Sequence, residues 1–258
     1  MKAEDITSKI KGIIGREIFI YDTVSSTNTV ALKLAENTSE GAVVLADSQE
    51  KGRGRLGRSW VSPLGVNLYM SVILKPDVKP KDITLITLLS AVACTTALRR
   101  TTGLQVTIKW PNDLILYDRK LGGILTEIRT GQKGTLFAVV GIGININTDL
   151  HEFPQDIRDI ATSIKHETGR IFSREEISAE ILNEMDTWYV VLKGRDRDRL
   201  LDKWKELSST LGKQVRISTA HETLTGLAES VDDGGMLIVR LFSGQVKKIS
   251  SGDLTELR

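Results

Sequence analysis

The chain has 258 residues, 40% apolar and 26% charged, with a formal net charge of +2. That is the profile of an ordinary globular protein of one large domain, or one large and one small. It gives no support to a chain-wide basic surface for nucleic acid and leaves room only for a local patch.

The N-terminal residues mix charges throughout and lack the apolar centre of a signal peptide. No run of about 18 apolar residues predicts a membrane span. A strand is expected near 17–21. Ser25 and Ser26 can cap a helix that carries Val30, Leu34 and Ala35 on one face. A short buried strand at 42–46 leads into a long polar loop over 47–65. Strand returns at 68–74 and is broken by Pro76 and Pro80. Asp82 opens a helix to about Arg100, with Ile86, Leu89, Ala93 and Ala97 on one face, and Gly103 ends it. The single cysteine, Cys94, sits in this apolar run, so no internal disulfide can form. It reads as a small buried hydrophobe in a reducing, cytoplasmic setting.

Strands are expected at 106–109, 123–129 and 135–145, with a short strand or turn between the first two. Helices follow at about 174–192 and 197–208. From residue 211 the pattern becomes short strand-like runs at 215–218, 223–231, 236–241 and 246–250, with Gly-rich turns between the last three. We therefore expect an α+β domain over 1–210, with a mixed sheet and packed helices, and a small β domain over 211–258.

Residues 52–60 read GRGRLGRSW. Gly52, Gly54 and Gly57 match a dinucleotide-binding pattern, and Gly52, Gly57 and Ser59 match a P-loop with Arg58 in place of lysine. Both patterns need a helix directly after the glycines. Here Pro63 and Gly65 follow, and then a strand, so both are rejected. Arginines at 53, 55 and 58 alternate with glycines that let a ligand approach the backbone, and their guanidinium forks suit phosphate or carboxylate oxygens. Trp60 can offer a flat face to a ring. The loop can thus be an anionic small-molecule site, a nucleic-acid contact or a solvated charged loop.

Other constellations also admit more than one reading. Residues 109–113, KWPND, suit a hairpin turn, yet Lys109 and Trp110 beside it do not follow from a turn. Lys120 precedes Gly122 and Gly123 and either decorates a turn or reaches into a site. Residues 141–147, GIGININ, place Gly141, Gly143 and Asn145 on one face, which lines a cavity or packs closely on a neighbour. Ser26, Thr27 and Asn28 are a helix start that could also bind a polar ligand. His151, His166 and His221 lack metal-ligand spacing.

In chain order, Ser26-Thr27-Asn28, Gln49 with GRGRLGRSW, KWPND, Lys120 with its glycines and GIGININ resemble the biotin–protein ligase family. The order and spacing are more specific than any single motif. The resemblance implies a class II synthetase-like catalytic domain with a small C-terminal SH3-like β-barrel. It also implies ATP-dependent biotinylation of a lysine on a biotin carboxyl carrier domain through biotinyl-5′-AMP. ATP and biotin would be substrates, with Mg²⁺ on the ATP phosphates, possible ligands lying near Asp113 and Asn145.

By position, the resemblance implies biotin contacts from Ser26, Thr27, Asn28, Gln49, Arg53, Gly54, Arg55, Lys120, Gly122 and Gly123. It implies ATP contacts from Arg55, Trp60, Lys109, Asn112, Lys120 and Asn145, and catalytic roles for Lys120, Arg55 and Arg53. Lys51 departs from the small residue common in the family's loop. The resemblance also implies a homodimer. Only about sixteen residues precede the first strand, so no winged-helix domain, and hence no DNA partner, is expected, nor any membrane. A lipoate–protein ligase shares the fold and chemistry, but its Arg-Arg-x-Ser-Gly-Gly-Gly loop is absent.

Overall fold

The computed structural model describes residues 1–76, 83–131, 134–194, 196–219 and 222–257. Pro80, the helix start expected at Asp82, and His221 lie outside these residues.

A short helix α1 (Ala3–Thr7) precedes β1 (Ile18–Val24), α2 (Thr27–Leu34), β2 (Val43–Gln49), β3 (Leu68–Leu74) and the long α3 (Ile83–Thr102). Then come β4 (Thr107–Lys109), β5 (Asp113–Leu116), β6 (Arg119–Thr130) and β7 (Leu136–Ile144). These strands form one seven-stranded sheet in the order β1-β2-β3-β7-β6-β5-β4. The β1–β2 pair is parallel, because α2 carries the chain back to the start of the next strand. The other pairs are antiparallel, so the sheet is mixed as expected.

The two faces of this sheet have different fates, and period-two alternation decides which residue meets which. Val43, Leu45, Met70, Val72, Val140 and Ile142 point into the main core. That core is roofed by α3, α5 (Arg174–Lys193) and α6 (Arg197–Leu207). Each such side chain contributes roughly 1.5–3 kcal/mol on full burial. Val44, Ile73, Phe137 and Val139 point the other way, into a smaller cluster with Ala31 and Ala35 of α2. On that second face, β7 changes from Val139 to Gly141 and Gly143, which pair across the sheet with Leu125 and Gly123 of β6. The fold thereby leaves a shelf of small residues beside α2.

Helix α3 is, by length and composition, apolar enough to cross a membrane. Most of it is buried as the central core helix, with Cys94 fully enclosed. Between β7 and α5 lies α4 (Ile164–Thr168), which the sequence reading missed. Its ends are ordinary: the Ser163 side chain accepts from His166 N–H, and Gly169 closes it with a left-handed φ of 69°.

The C-terminal strands β8 (Gln214–Ser218), β9 (Thr223–Val231), β10 (Leu237–Leu241), β11 (Val246–Ile249) and β12 (Asp253–Glu256) form a second sheet in the order β11-β10-β9-β8-β12. All its pairs are antiparallel. Four strands fall where the sequence placed them, and β12 is additional. Only Leu254 of β12 is buried, so little in its own sequence marks it as a strand. The small sheet is tied to the large domain through Trp110, which is 1% exposed. Its backbone N–H donates to Thr210 Oγ1 at 3.0 Å and its indole N–H to the Gly235 carbonyl at 3.4 Å.

Candidate active site

The glycines on the shelf are occupied by side chains from above. A Cβ at Gly143 would come within 2.6 Å of the Trp60 ring, and one at Gly141 within 2.3 Å of the Asn28 amide. The face that the sequence marked as a possible cavity thus takes the Trp60 indole and the Asn28 side chain. Gly123 faces the same way, toward Trp60 and Lys120. Gly122 does not. A side chain there would meet the Gly143 carbonyl and Leu114, since successive strand residues point to opposite faces. Of the two glycines, Gly123 alone has its open side toward Trp60 and Lys120.

The Gly–Arg loop is folded on its own backbone. Trp60 N–H donates to the Gly52 carbonyl (2.9 Å), Gly54 N–H to Arg58 (2.7 Å) and Arg58 N–H to Arg55 (3.1 Å). The tip turns through Leu56 and Gly57, with φ of 55° and 74°. No helix follows these glycines, so the rejection of both phosphate-loop patterns holds. Beneath the tip is a cleft of about 340 Å³, lined by Arg53, Arg55, Arg58, Leu125 and Glu127 among others.

Two cation pairs frame one end of the shelf. Lys120 Nζ lies 2.7 Å from Asp113 Oδ1 and 5.7 Å from the centre of the Trp60 ring. Arg55 donates to Asn112 Oδ1 at 2.8 Å, and the Asn112 amide donates to the Ile124 carbonyl at 2.9 Å. Burial pushes the Arg55 pKa down, while Asp113 and Asp253 oppose that shift. Residues 110–112 are indeed a turn, joining β4 to β5 with Lys109 opposite Asp113. The turn is therefore the device that brings Asn112 and Asp113 to the site. Lys109 ends β4 and is half-buried. Arg58 reaches out of the loop to Asp253 of β12, and this pairing raises the Arg58 pKa. Trp60 Nε1 is buried without a hydrogen-bond partner.

At the other end, Ser26, Thr27 and Asn28 are each 3% exposed. Ser26 is the N-cap residue of α2 but makes no side-chain capping bond. Gln49 Oε1 accepts from Thr27 N–H (2.9 Å) and Thr27 Oγ1 (3.2 Å), and its amide donates to Ser62 Oγ (3.0 Å). Ser71 Oγ bridges Thr27 Oγ1 (2.8 Å) and Asn28 Oδ1 (2.6 Å). The Asn28 amide then donates to Glu127 (2.8 Å) and to the Leu125 carbonyl (3.2 Å). Asn145 is tied to the Lys120 segment: its backbone N–H donates to the Leu121 carbonyl at 2.9 Å and its side-chain amide to the Thr162 carbonyl at 3.0 Å.

The chain matches the Biotin/lipoate A/B protein ligase family over residues 20–147 and the biotin protein ligase C-terminal domain over residues 210–254. It is 36% identical over 245 residues to the bifunctional ligase/repressor BirA of Bacillus subtilis, covering 94% of this chain and 74% of that protein. It is 33% identical to the biotin–[acetyl-CoA-carboxylase] ligase of Paracoccus denitrificans, over 83% of this chain and 90% of that one. Among solved structures, the biotin protein ligase of Aquifex aeolicus in complex with biotin and ATP superposes with a TM-score of 0.79. That pair shares 30% identity, over 94% of this chain and 99% of the other. The chain belongs to the biotin protein ligase family.

Sequence reasoning missed Glu127, which lines this ligase's cleft, and two supporting serines, Ser62 and Ser71. Ser62 and Ser71 hold Gln49, Thr27 and Asn28 in place. Glu127 was legible in principle, because it follows Gly123 and Leu125 at period two on β6. Its partners, Asn28 and Arg53, lie far away in sequence and could not be foreseen.

Proposed function

We propose that this ligase joins biotin to ATP and passes the biotinyl group to a lysine of a biotin carboxyl carrier domain, with the cleft under the Gly–Arg loop as the place of reaction. The observation that carries this reading is the meeting of Lys120–Asp113 and Arg55–Asn112 beside the glycine shelf. In the first step a biotin carboxylate oxygen attacks the α-phosphorus and the bond to pyrophosphate breaks. In the second, the acceptor amine attacks the biotinyl carbonyl, loses a proton, and AMP leaves. Neither step needs a protein nucleophile. Both need anions held together and developing charge compensated.

Lys120, Arg55 and Arg53 supply that charge. Lys120 would bridge the biotin carboxylate and the α-phosphate. Trp60, Asn112, Lys109 and Asn145 are assigned to the nucleotide side. Ser26, Thr27 and Gln49, neutral donors and acceptors, suit a ureido ring, and Gly54 and Gly123 would let ligand approach the backbone.

Among the described residues no group of three His, Cys, Asp or Glu side chains could hold a metal. Mg²⁺ would therefore come with the ATP phosphates, which is its usual mode, with Asp113 as the neighbouring carboxylate. It would supply further neutralisation of phosphate charge.

We also propose a homodimer, for which β1 is a suitable open edge because it pairs only with β2. We propose a reducing cytoplasm, in keeping with a lone, buried Cys94. The near-neutral charge supports no DNA partner for these residues. The test is biotin-dependent exchange of pyrophosphate into ATP, followed by mass measurement of a carrier domain. Exchange with lipoate but not with biotin would reject the reading.

A further inference from the structure

Glu127 belongs to none of the roles just assigned, yet it lines the cleft and touches both the Gly–Arg loop and α2. A single oxygen, Oε2, accepts from Arg53 Nη2 at 2.7 Å and from Asn28 Nδ2 at 2.8 Å. Arg53 lies at the start of the Gly–Arg loop, and Asn28 in the first turn of α2. Through Asn28 the chain of contacts continues to Ser71, Thr27, Gln49 and Ser62. The string also reaches the loop at its far end, where Ser62 Oγ donates to the Trp60 carbonyl at 3.2 Å. Among the described residues, Glu127 is the side chain that ties the string to an arginine of the loop.

The Asn28 amide is also fully engaged. Its oxygen takes Ser71, and its nitrogen gives to Glu127 and Leu125. The sheet has been cleared for it at Gly141, where any Cβ would collide with it. A buried amide with every group satisfied by protein acts as a strut rather than as a free ligand donor.

We infer that Glu127 is a positioning residue that anchors the Gly–Arg loop over the head-group pocket, so that closure of the loop and the order of the Asn28–Ser71–Thr27–Gln49 string are one event. This rests on the biotin-ligase reading. A loop rich in glycine loses much conformational freedom when it closes. An anchor that holds Arg53 before ligand arrives removes part of that cost from binding. Because both partners are partly exposed, the pair is a modest contribution, not a rigid clamp. Glu127 lies four residues along β6 from Gly123, toward the α2 end of the shelf and away from Lys120 and Asp113. It should act on retention of ligand and not on the chemical step.

Glu127→Gln isolates this role. The Gln oxygen can still accept from Asn28, whereas the charge that holds Arg53 is lost. In biotin-dependent pyrophosphate exchange, we expect the biotin KM to rise about three- to tenfold with kcat changed less than about twofold. Biotin dissociation should quicken by a similar factor, and hydrogen exchange at residues 52–59 should lose its slowing by biotin. Arg53→Gln should give a comparable rise, and the double variant no more than the larger single effect. An unchanged or lowered biotin KM in Glu127→Gln overturns the inference. So does multiplicative behaviour of the double variant, or a lowered melting temperature with normal KM and normal loop protection. If the wild-type protein shows no biotin-dependent exchange at all, the functional reading has failed instead.

Discussion

The Lys120 ammonium lies 2.7 Å from Asp113 Oδ1, so the β5–β6 hairpin holds its lysine beside the Trp60 ring before any anion arrives. A preorganised cation gains most where charge grows during reaction. Lys120→Ala should slow adenylate formation by roughly a hundredfold or more. Lys120→Arg should recover only part of this, since the fork has a different reach from an ammonium. Transfer from pre-formed biotinyl-AMP should suffer less, because the two anions are already joined. Pyrophosphate exchange beside single-turnover transfer measures both. Near-normal exchange in the Ala variant would leave Lys120 as an ordinary turn lysine.

Specificity should follow from the neutral string at the other end. Gln49 bonds both Thr27 and Ser62, and Thr27 is 3% exposed. A ligand entering there must offer donors and acceptors in return, which a ureido group does and a dithiolane does not. A site built on buried polar groups rejects an analogue that leaves them unpaired. Biotin should be preferred over lipoate by about a thousandfold or more in kcat/KM. Comparable use of both acids in the same exchange assay would count against this pocket assignment.

Much of this architecture was legible because period-two alternation and turn residues are local signals. The runs in β3, β7, β9 and β10 announced themselves through Val, Ile and Leu, and the break near Leu211 showed in the change of spacing. What stayed hidden was set by partners distant in sequence. β12 exists because β8 offers it an edge, and Trp110, conspicuous within KWPND, turned out to be an inter-sheet post buried against Thr210 and Gly235. The opposite facing of Gly122 and Gly123 was implicit in strand geometry, but needed the register of β6 on β7 to become visible.

Acid sensitivity should be traceable to one turn of the small sheet. Burial alone would raise the Asp232 pKa. The Met236 and Gly234 N–H groups, both 3.0 Å from Oδ1, and Lys248 at 3.1 Å outweigh it, and the net shift is downward. A depressed carboxyl contributes stability above its unfolded pKa, about 3.9, and loses it as pH falls through the lower folded value. Asp232→Asn should therefore cost about 1–2 kcal/mol at neutral pH. The gap between variant and wild type should narrow below about pH 4. Urea unfolding at several pH values measures it. A gap that widens in acid would give the linkage the wrong sign.

The docking of the two sheets should be tested at Trp110. Its indole fills the junction beside Gly235, which itself lies against Leu88 of α3, so three segments share one contact. Removing the ring leaves a cavity that the β4–β5 turn cannot collapse into without moving Asn112, which holds Arg55. Trp110→Ala should cost about 3–5 kcal/mol, in the range for deleting a large buried aromatic. Trp110→Phe keeps most of the filling and loses the bond to the Gly235 carbonyl, so about 1–2 kcal/mol is expected. Thr210→Val keeps its shape but strands the Trp110 N–H, and should fall near the Phe variant. Unfolding followed by tryptophan fluorescence and by far-UV circular dichroism should stay coincident in the wild type, because the junction couples the sheets. In Trp110→Ala the two probes should separate, with the small sheet melting first. A loss below about 1 kcal/mol in Trp110→Ala, with coincident transitions, would mean that the sheets are held together elsewhere.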